Sequence, residues 1–392
     1  MNPVSKSLLI TRARSALQSL FIGDALSMPV HWFYNPMDIQ RAFPGGITQM
    51  EAAPDRHPSS IMSLHSTVAG GRKTKPNREH SNGSVPEIVG DIILRGKRQY
   101  WGIANQHYHR GMQAGDNTLN ACCARVMIRC LISSDGEYSK QQFLDDYVAF
   151  MTAEDPQHPD TYAESWHRGF FARRESGYPL DQCGAVTHDT PSVGGLVAIV
   201  PLALKLLLDT DDSAQDNTTD KASGGTVAPL TADKVERVCK TCREQLMLTH
   251  PDELLARVCH AMVVLFSELL HRTESDDVLP MLERASRCIS GVDLKKLWQK
   301  APGDMHVVGG TYSTACYITD SWPSLLYLAG KYQHSAEAAM LANTNLGGEN
   351  AHRGSVLGAI VSIIQGETSE RLLNQLLHRD ELTGEIEQLI AA

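Results

Sequence analysis

The chain has 392 residues, enough for one large domain or two ordinary ones. Apolar residues make up 42% and charged residues 21%, so a core can be buried and intrinsic disorder is excluded. Lys and Arg number 36 against 45 Asp and Glu, a net charge of −9 that speaks against a nucleic-acid binder.

The N-terminal stretch is apolar at 8–10 and 17–22 but broken by Arg12 and Arg14, so it lacks a secretory layout. Its helical pattern runs into Gly23-Asp24-Ala25-Leu26-Ser27-Met28-Pro29-Val30-His31-Trp32, a cluster of small and polar residues that reads as lying next to a helix start. Residues 72–84, rich in Gly, Lys, Arg, Asn and Ser, read as a loop. His65, His80, His107 and His109 carry no motif and read as surface or loop residues. The last two stand close enough to Asp116 in sequence to line a cleft. A second polar cluster, Gly115-Asp116-Asn117-Thr118-Leu119-Asn120, opens a helix with apolar residues at Leu119, Cys122, Cys123, Val126, Met127, Cys130 and Leu131. A third, Ser192-Val193-Gly194-Gly195, leads to Pro201-Leu202. The longest apolar run, 193–208, contains Pro201 and Lys205 and falls short of a membrane span.

Residues 209–230 lack periodicity and carry five Asp against one Lys, so they read as a flexible surface insertion. Cys239 and Cys242 form a lone C-x-x-C without the second pair of a zinc site, and they lie in a helical pattern. Nine scattered cysteines read as reduced, mostly buried thiols of a cytoplasmic protein. Helical spacing returns at Leu254–Leu269, after Pro251, and at Val356–Ile364. The last of these follows a fourth cluster, Asn343-Thr344-Asn345-Leu346-Gly347-Gly348-Glu349-Asn350-Ala351-His352-Arg353-Gly354. Strand-like alternation is scarce, so the expected fold class is all-α with about a dozen helices.

Paired glycines at a helix start let backbone N–H groups approach an anion, and short acid and amide clusters can hold a hard cation. In this order the four clusters resemble the ADP-ribosylglycohydrolase family. Thr249-His250-Pro251 and Gly309-Gly310-Thr311-Tyr312, followed by Cys316–Pro323, add to the resemblance. It spans about residues 10–366 and implies a single domain over 1–392 with a compact, orthogonal multi-helix fold. It also implies a metal-centred cleft, magnesium by resemblance, that cuts ADP-ribosyl bonds of a small-molecule or ADP-ribosylated substrate. Neither nucleic acid nor membrane is an expected partner.

The departures fall on the residues that carry the family's chemistry. A metal-linked Glu becomes His31, the T-D-D triplet becomes Gly115-Asp116-Asn117, and D-x-D-T becomes Glu349-Asn350-Ala351-His352. The phosphate loop keeps Gly194 but has Val193 for Asn and Ala198 for Arg. Two magnesium ions need mainly oxygen ligands, and this set has lost carboxylates and gained imidazoles. The expected metal ligands are Asp116, Asn117, Glu349 and His352, with His31 completing a mixed set that suits one Mn, Fe or Zn ion. Alternatively no metal binds, and His31 and Glu349 act directly as base and acid.

Expected catalytic residues are Glu349, His31 and His352; expected substrate contacts are Gly194, Gly195, Ser192, His250, Asn350 and Arg353. Each has a plainer reading: His31 as a core histidine, Asp116 as a helix cap, Glu349 as a dipole partner, His250 as part of a helix start. Arg353 has the fork suited to a phosphate, and Asp24 reads as structural. Most replacements still carry reactive side chains. That favours a hydrolase with a remodelled active site over a non-catalytic binder of ADP-ribose or a partner protein.

Overall fold

The computed structural model describes residues 3–60, 62, 66, 87–209, 226–300 and 303–392. The loop at 72–84, His65, His80 and most of the insertion at 209–230 lie outside them. The described residues are all-α: seventeen α-helices and one antiparallel two-residue strand pair, Val4–Ser5 with Thr226–Val227. Helices outnumber the expected dozen because several, such as Pro36–Ala42, Asp304–Val307 and Glu370–Leu373, are too short for apolar periodicity to register.

Two helices form the centre. Lys6–Ser27 starts at Ser5, whose Oγ accepts from Leu8 N at 3.2 Å. It is buried on nearly every face from Ser15 to Ser27. Asn350–Gln365 is buried from Asn350 to Ile364. The two run antiparallel at backbone contact. A Cβ on Gly23 would stand 2.2 Å from Gly354 O, and one on Gly358 would stand 2.5 Å from Ser19 O. Hydroxyls inside the contact are paired: Ser362 Oγ donates to Ser19 Oγ at 2.6 Å, and Ser27 and Thr344 share a bond of 2.6 Å. This crossing brings the C-terminal end of the first helix to the N-terminal end of the second, which is where the candidate site lies.

Further helices surround this pair. Ala232–Met247 is capped by Thr231, and Glu253–Leu270 by Asp252, whose Oδ1 accepts from Leu255 N at 2.7 Å. Cys239 and Cys242 are buried within Ala232–Met247, and all nine cysteines are free. Among the described residues, no helix is long and apolar enough to cross a membrane.

Candidate active site

The first helix runs into a short turn, Met28–Val30, that carries the chain to His31 and Trp32. Trp32 has a φ of 61°, a left-handed conformation that a non-glycine residue holds only when its surroundings fix it. They do so here through Trp32 N donating to Gly348 O and Gly348 N donating to Phe33 O, both at 2.8 Å. Glu349 N in turn donates to Thr314 O at 2.8 Å. Gly347 and Gly348 have φ values of 69° and 65°, and a Cβ on either would lie 2.1 Å from Phe33 O or Thr314 O respectively. The paired glycines of the fourth cluster are therefore required by this junction.

The junction brings three side chains together. His31 Nε2 lies 3.3 Å from Glu349 Oε1, and His352 Nδ1 is in ion-pair contact with the same oxygen. Trp32 Nε1 donates to Glu349 Oε2. The residues are closed from solvent: His31 and Glu349 are 0% exposed and His352 is 2%. Burial opposes charge on Glu349, but His352 and His31 outweigh it and hold the carboxyl well below its usual range. Burial likewise opposes a charged His352, yet Glu349 and Glu164 raise its pKa to about 10. Burial wins at His31, which is lowered to about 3. At neutral pH the centre holds an imidazolium–carboxylate pair beside a neutral imidazole.

A relay leads away from it. His31 Nδ1 is 2.8 Å from His109 Nε2, and His109 Nδ1 is 2.8 Å from Asp160 Oδ1. Asp160 also accepts from Leu119 N at 2.8 Å and Tyr162 N at 3.1 Å. Burial would raise Asp160, but His109 and these donors hold it below its usual range. The carboxylate accepts, so His109 donates from Nδ1. By the same rule Glu349 accepts from His31 Nε2, and His31 and His109 share the 2.8 Å contact between Nδ1 and Nε2. His107 and His57 brace the same backbone, with ring nitrogens 3.0 Å from Pro29 O and His31 O respectively. The surface reading of His107 and His109 is thus corrected: they are 0% and 2% exposed and packed beneath the centre.

On the other side stands Glu164. Its Oε2 accepts from Asn120 Nδ2 at 2.7 Å and Trp166 Nε1 at 2.9 Å. Its Oε1 is buried without a hydrogen-bond partner, 3.9 Å from His352 Nδ1. Burial, with the Asp189 and Glu349 carboxylates, raises Glu164 to about 8 although His352 opposes the shift. Two carboxyl groups around one imidazolium therefore hold opposite protonation states.

The other expected residues divide. Of the expected metal ligands, Glu349 and His352 meet, while Asp116 and Asn117 stand outside that group. Asp116 Oδ2 closes its own turn by accepting from Gln113 N at 2.8 Å. Asn117 Nδ2 donates to Phe21 O at 2.8 Å and Asp24 Oδ2 at 3.0 Å. Asp24 also accepts from Thr118 N and Thr118 Oγ1, at 2.7 and 2.6 Å, which makes it the anchor of the helix Leu119–Ser133. Gly194 does reach the centre: a Cβ there would be 3.0 Å from His352 Nδ1. Ser192 Oγ accepts from Gly194 N at 3.0 Å. Gly195 packs on the His250 ring. His250 is lowered to about 3 by burial, and its Nε2 lacks a partner beside a cavity of about 20 Å³, room for one water.

Asn350 Nδ2 donates to Val30 O and Thr344 O, at 3.4 and 2.9 Å. Arg353 is 0% exposed, with Nε on Asn343 Oδ1 at 2.6 Å and Nη2 on Gly347 O at 2.9 Å. These donors brace the glycine loop from inside, while Asn350 Oδ1 and Arg353 Nη1 are buried without a hydrogen-bond partner. Asp160 and Glu164 were missed. They lie in Asp160-Thr161-Tyr162-Ala163-Glu164, a segment without periodicity, glycines or paired acids to mark it.

The donor chemistry tests which metal would suit the centre. A pair of magnesium ions does not fit the centre, because a single carboxylate there joins two imidazoles. The ligand-type atoms of His31, Glu349 and His352 lie within 4.8 Å of one another, a nitrogen-rich set that fits a single borderline ion.

Fold and centre together define an all-helical protein with a buried carboxylate–imidazole site at the meeting of two helix ends. The profile of the ADP-ribosylglycohydrolase family matches residues 5–392, and the chain belongs to that family. One solved structure, described as an ADP-ribosylglycohydrolase-related protein complex, superposes with a TM-score of 0.54 at 15% identity, covering 98% of this chain and 99% of that one. That likeness concerns the fold. No curated protein matches the sequence.

Proposed function

We propose that the chain hydrolyses a glycosidic bond of an ADP-ribosyl or related conjugate at a remodelled centre. The observation that carries this reading is the convergence of His31, Glu349 and His352 where the family's motifs meet. In this mechanism the Glu349 carboxylate orients a water toward the anomeric carbon, and an oxocarbenium-like state develops as the bond breaks. The water's proton goes to the Glu349 carboxylate, which His31 Nε2–H and Trp32 Nε1–H orient. Asp160 and His109 hold the His31 ring in place through its Nδ1. Glu164, held neutral at pH 7, protonates the leaving group. His352 keeps Glu349 ionised. As the alternative to this direct proton transfer, a single Mn, Fe or Zn ion held by His31, Glu349 and a deprotonated His352 would supply Lewis-acid polarisation of the water. Gly194 and Gly195 let the backbone pack directly against His352 and His250, where a side chain would clash.

A second reading, a non-catalytic binder of ADP-ribose or a partner protein, is favoured by the closure of all three groups from solvent. Calorimetry with ADP-ribose, run beside a turnover assay on ADP-ribosyl conjugates, separates the two. Turnover that falls at least about a hundredfold in His352→Ala supports the hydrolase. Binding without turnover in the native protein supports the binder and refutes the hydrolase.

A further inference from the structure

A second group of mixed donors stands beside the first and takes no part in the mechanism above. His188, Asp189 and Cys316 each place a ligand-type atom within 4.8 Å of the other two. Backbone pairing holds the segments together: Val193 N donates to Cys316 O at 3.1 Å, and Ile318 N donates to Pro191 O at 2.8 Å. Ser165 N and Oγ occupy Asp189 Oδ2 at 2.7 and 2.6 Å, which leaves Oδ1 free to face His188. That oxygen lies 3.9 Å from His188 Nε2, beyond hydrogen-bond reach. Tyr317 Oη stands 3.5 Å from His188 Nδ1, on the far side of the ring, and its ring meets the imidazole edge-on. An outer partner on one ring nitrogen is how a metal-binding histidine is usually oriented.

Two ligands on one tetrahedral ion, at metal–ligand lengths of roughly 2.0–2.3 Å, stand roughly 3.3–3.8 Å apart. The His188–Asp189 separation needs only a small closure to reach that range. Asp189 and Cys316 are each 6% exposed, while the His188 side chain is 35% exposed, so solvent reaches the group from one side. Burial and the Glu349, Asp189 and Glu164 carboxylates push the Cys316 thiol well up, so a bare thiolate is disfavoured there and a cation would offset that cost.

A comparable group at Glu236, Cys239 and His260 makes a weaker case. There the thiol donates to His260 O at 3.8 Å, and His260 Nε2 lies 3.8 Å from Glu236 Oε2 at the surface.

We infer that His188, Asp189 and Cys316 form a three-ligand site for one borderline-soft divalent ion of the zinc type, with its fourth position open to solvent. Sulfur, nitrogen and oxygen donors in one set select such an ion over magnesium or calcium. The site uses none of the side chains given a step in hydrolysis, and Asp189 reaches that reaction only through its charge near Glu164.

Cobalt(II) titration of the intact protein, followed by absorption, is the test. Thiolate-bound cobalt in a four-coordinate site gives a near-ultraviolet charge-transfer band and intense visible bands, a readout independent of activity. The native protein should show both. Cys316→Ser should abolish the charge-transfer band, and His188→Ala, at a half-exposed position that tolerates truncation, should weaken cobalt binding at least tenfold. Cys239→Ser and the double variant His31→Ala/His352→Ala should both keep the band. Absence of the band in the native protein, its persistence in Cys316→Ser, an unchanged titration in His188→Ala, or its loss in either control would overturn the proposal.

Discussion

Gly348→Ala isolates the contact on which the centre depends. At a φ of 65°, alanine sits in the left-handed region, and its Cβ would stand 2.1 Å from Thr314 O and 2.4 Å from Thr314 Cβ. The conformational strain is about 1–2 kcal/mol, and forcing a methyl into packed backbone adds about 1–3 kcal/mol. Together they predict a loss of about 2–5 kcal/mol. Gly45→Ala is the matched control. Its φ is 90°, but nothing lies within 4 Å of the added methyl, so only the strain remains. The change in unfolded-chain entropy is common to both substitutions and cancels. Urea unfolding, with unchanged slope, reads the two stabilities. Thr314 O also accepts from Glu349 N, so Gly348→Ala displaces Glu349 and should lower turnover beyond the loss of folded protein. Equal stability of the two variants, within about 0.5 kcal/mol, would refute the packing argument.

Other consequences follow from the same geometry. Asp160→Asn removes the carboxylate that fixes the His109 tautomer, and turnover should drop about 10–100-fold with little change in KM, whereas an unchanged kcat would remove His109 and Asp160 from the mechanism. Glu349→Gln leaves His352 buried without its counter-charge and should cost about 3–5 kcal/mol in urea unfolding. His352 is raised from 6.5 to about 10 in the fold, so its stabilising contribution is complete below 6.5 and is lost as pH rises through about 10. Ring resonances of metal-free protein should show an imidazolium at pH 8 in the native chain and a neutral ring in Glu349→Gln; titration near the ordinary value in both would contradict the pairing. Arg353→Lys removes the Nη2 bond to Gly347 O and should destabilise by about 1–3 kcal/mol without raising KM for a phosphate-bearing substrate.

Much of this architecture is legible before folding is considered. Gly23 and Gly354 sit in recognisable motifs, and their need for backbone contact explains why. His31 and Glu349, 318 residues apart, are linked in the sequence only through the family pattern, yet they meet because the two central helices run antiparallel. The metal set was harder to read. Asp116 and Asn117 look like ligands because short acids and amides before a helix suit both capping and coordination, and here the local bonds win. Arg353 looks like a phosphate partner by residue type, but its position one turn into a fully buried helix points it inward. Asp160 and Glu164 enter the site only through tertiary packing against Leu119 and Asn120, and the local pattern around them carries no trace of that.

The central claim is tested most directly by release of free ADP-ribose from a panel of N- and O-linked ADP-ribosyl conjugates, measured for the native protein and for Glu349→Gln. The account predicts turnover of at least one conjugate, falling about a thousandfold or more when the Glu349 carboxylate is neutralised. Native-level turnover in Glu349→Gln, or tight binding of every conjugate with release of none, would contradict it.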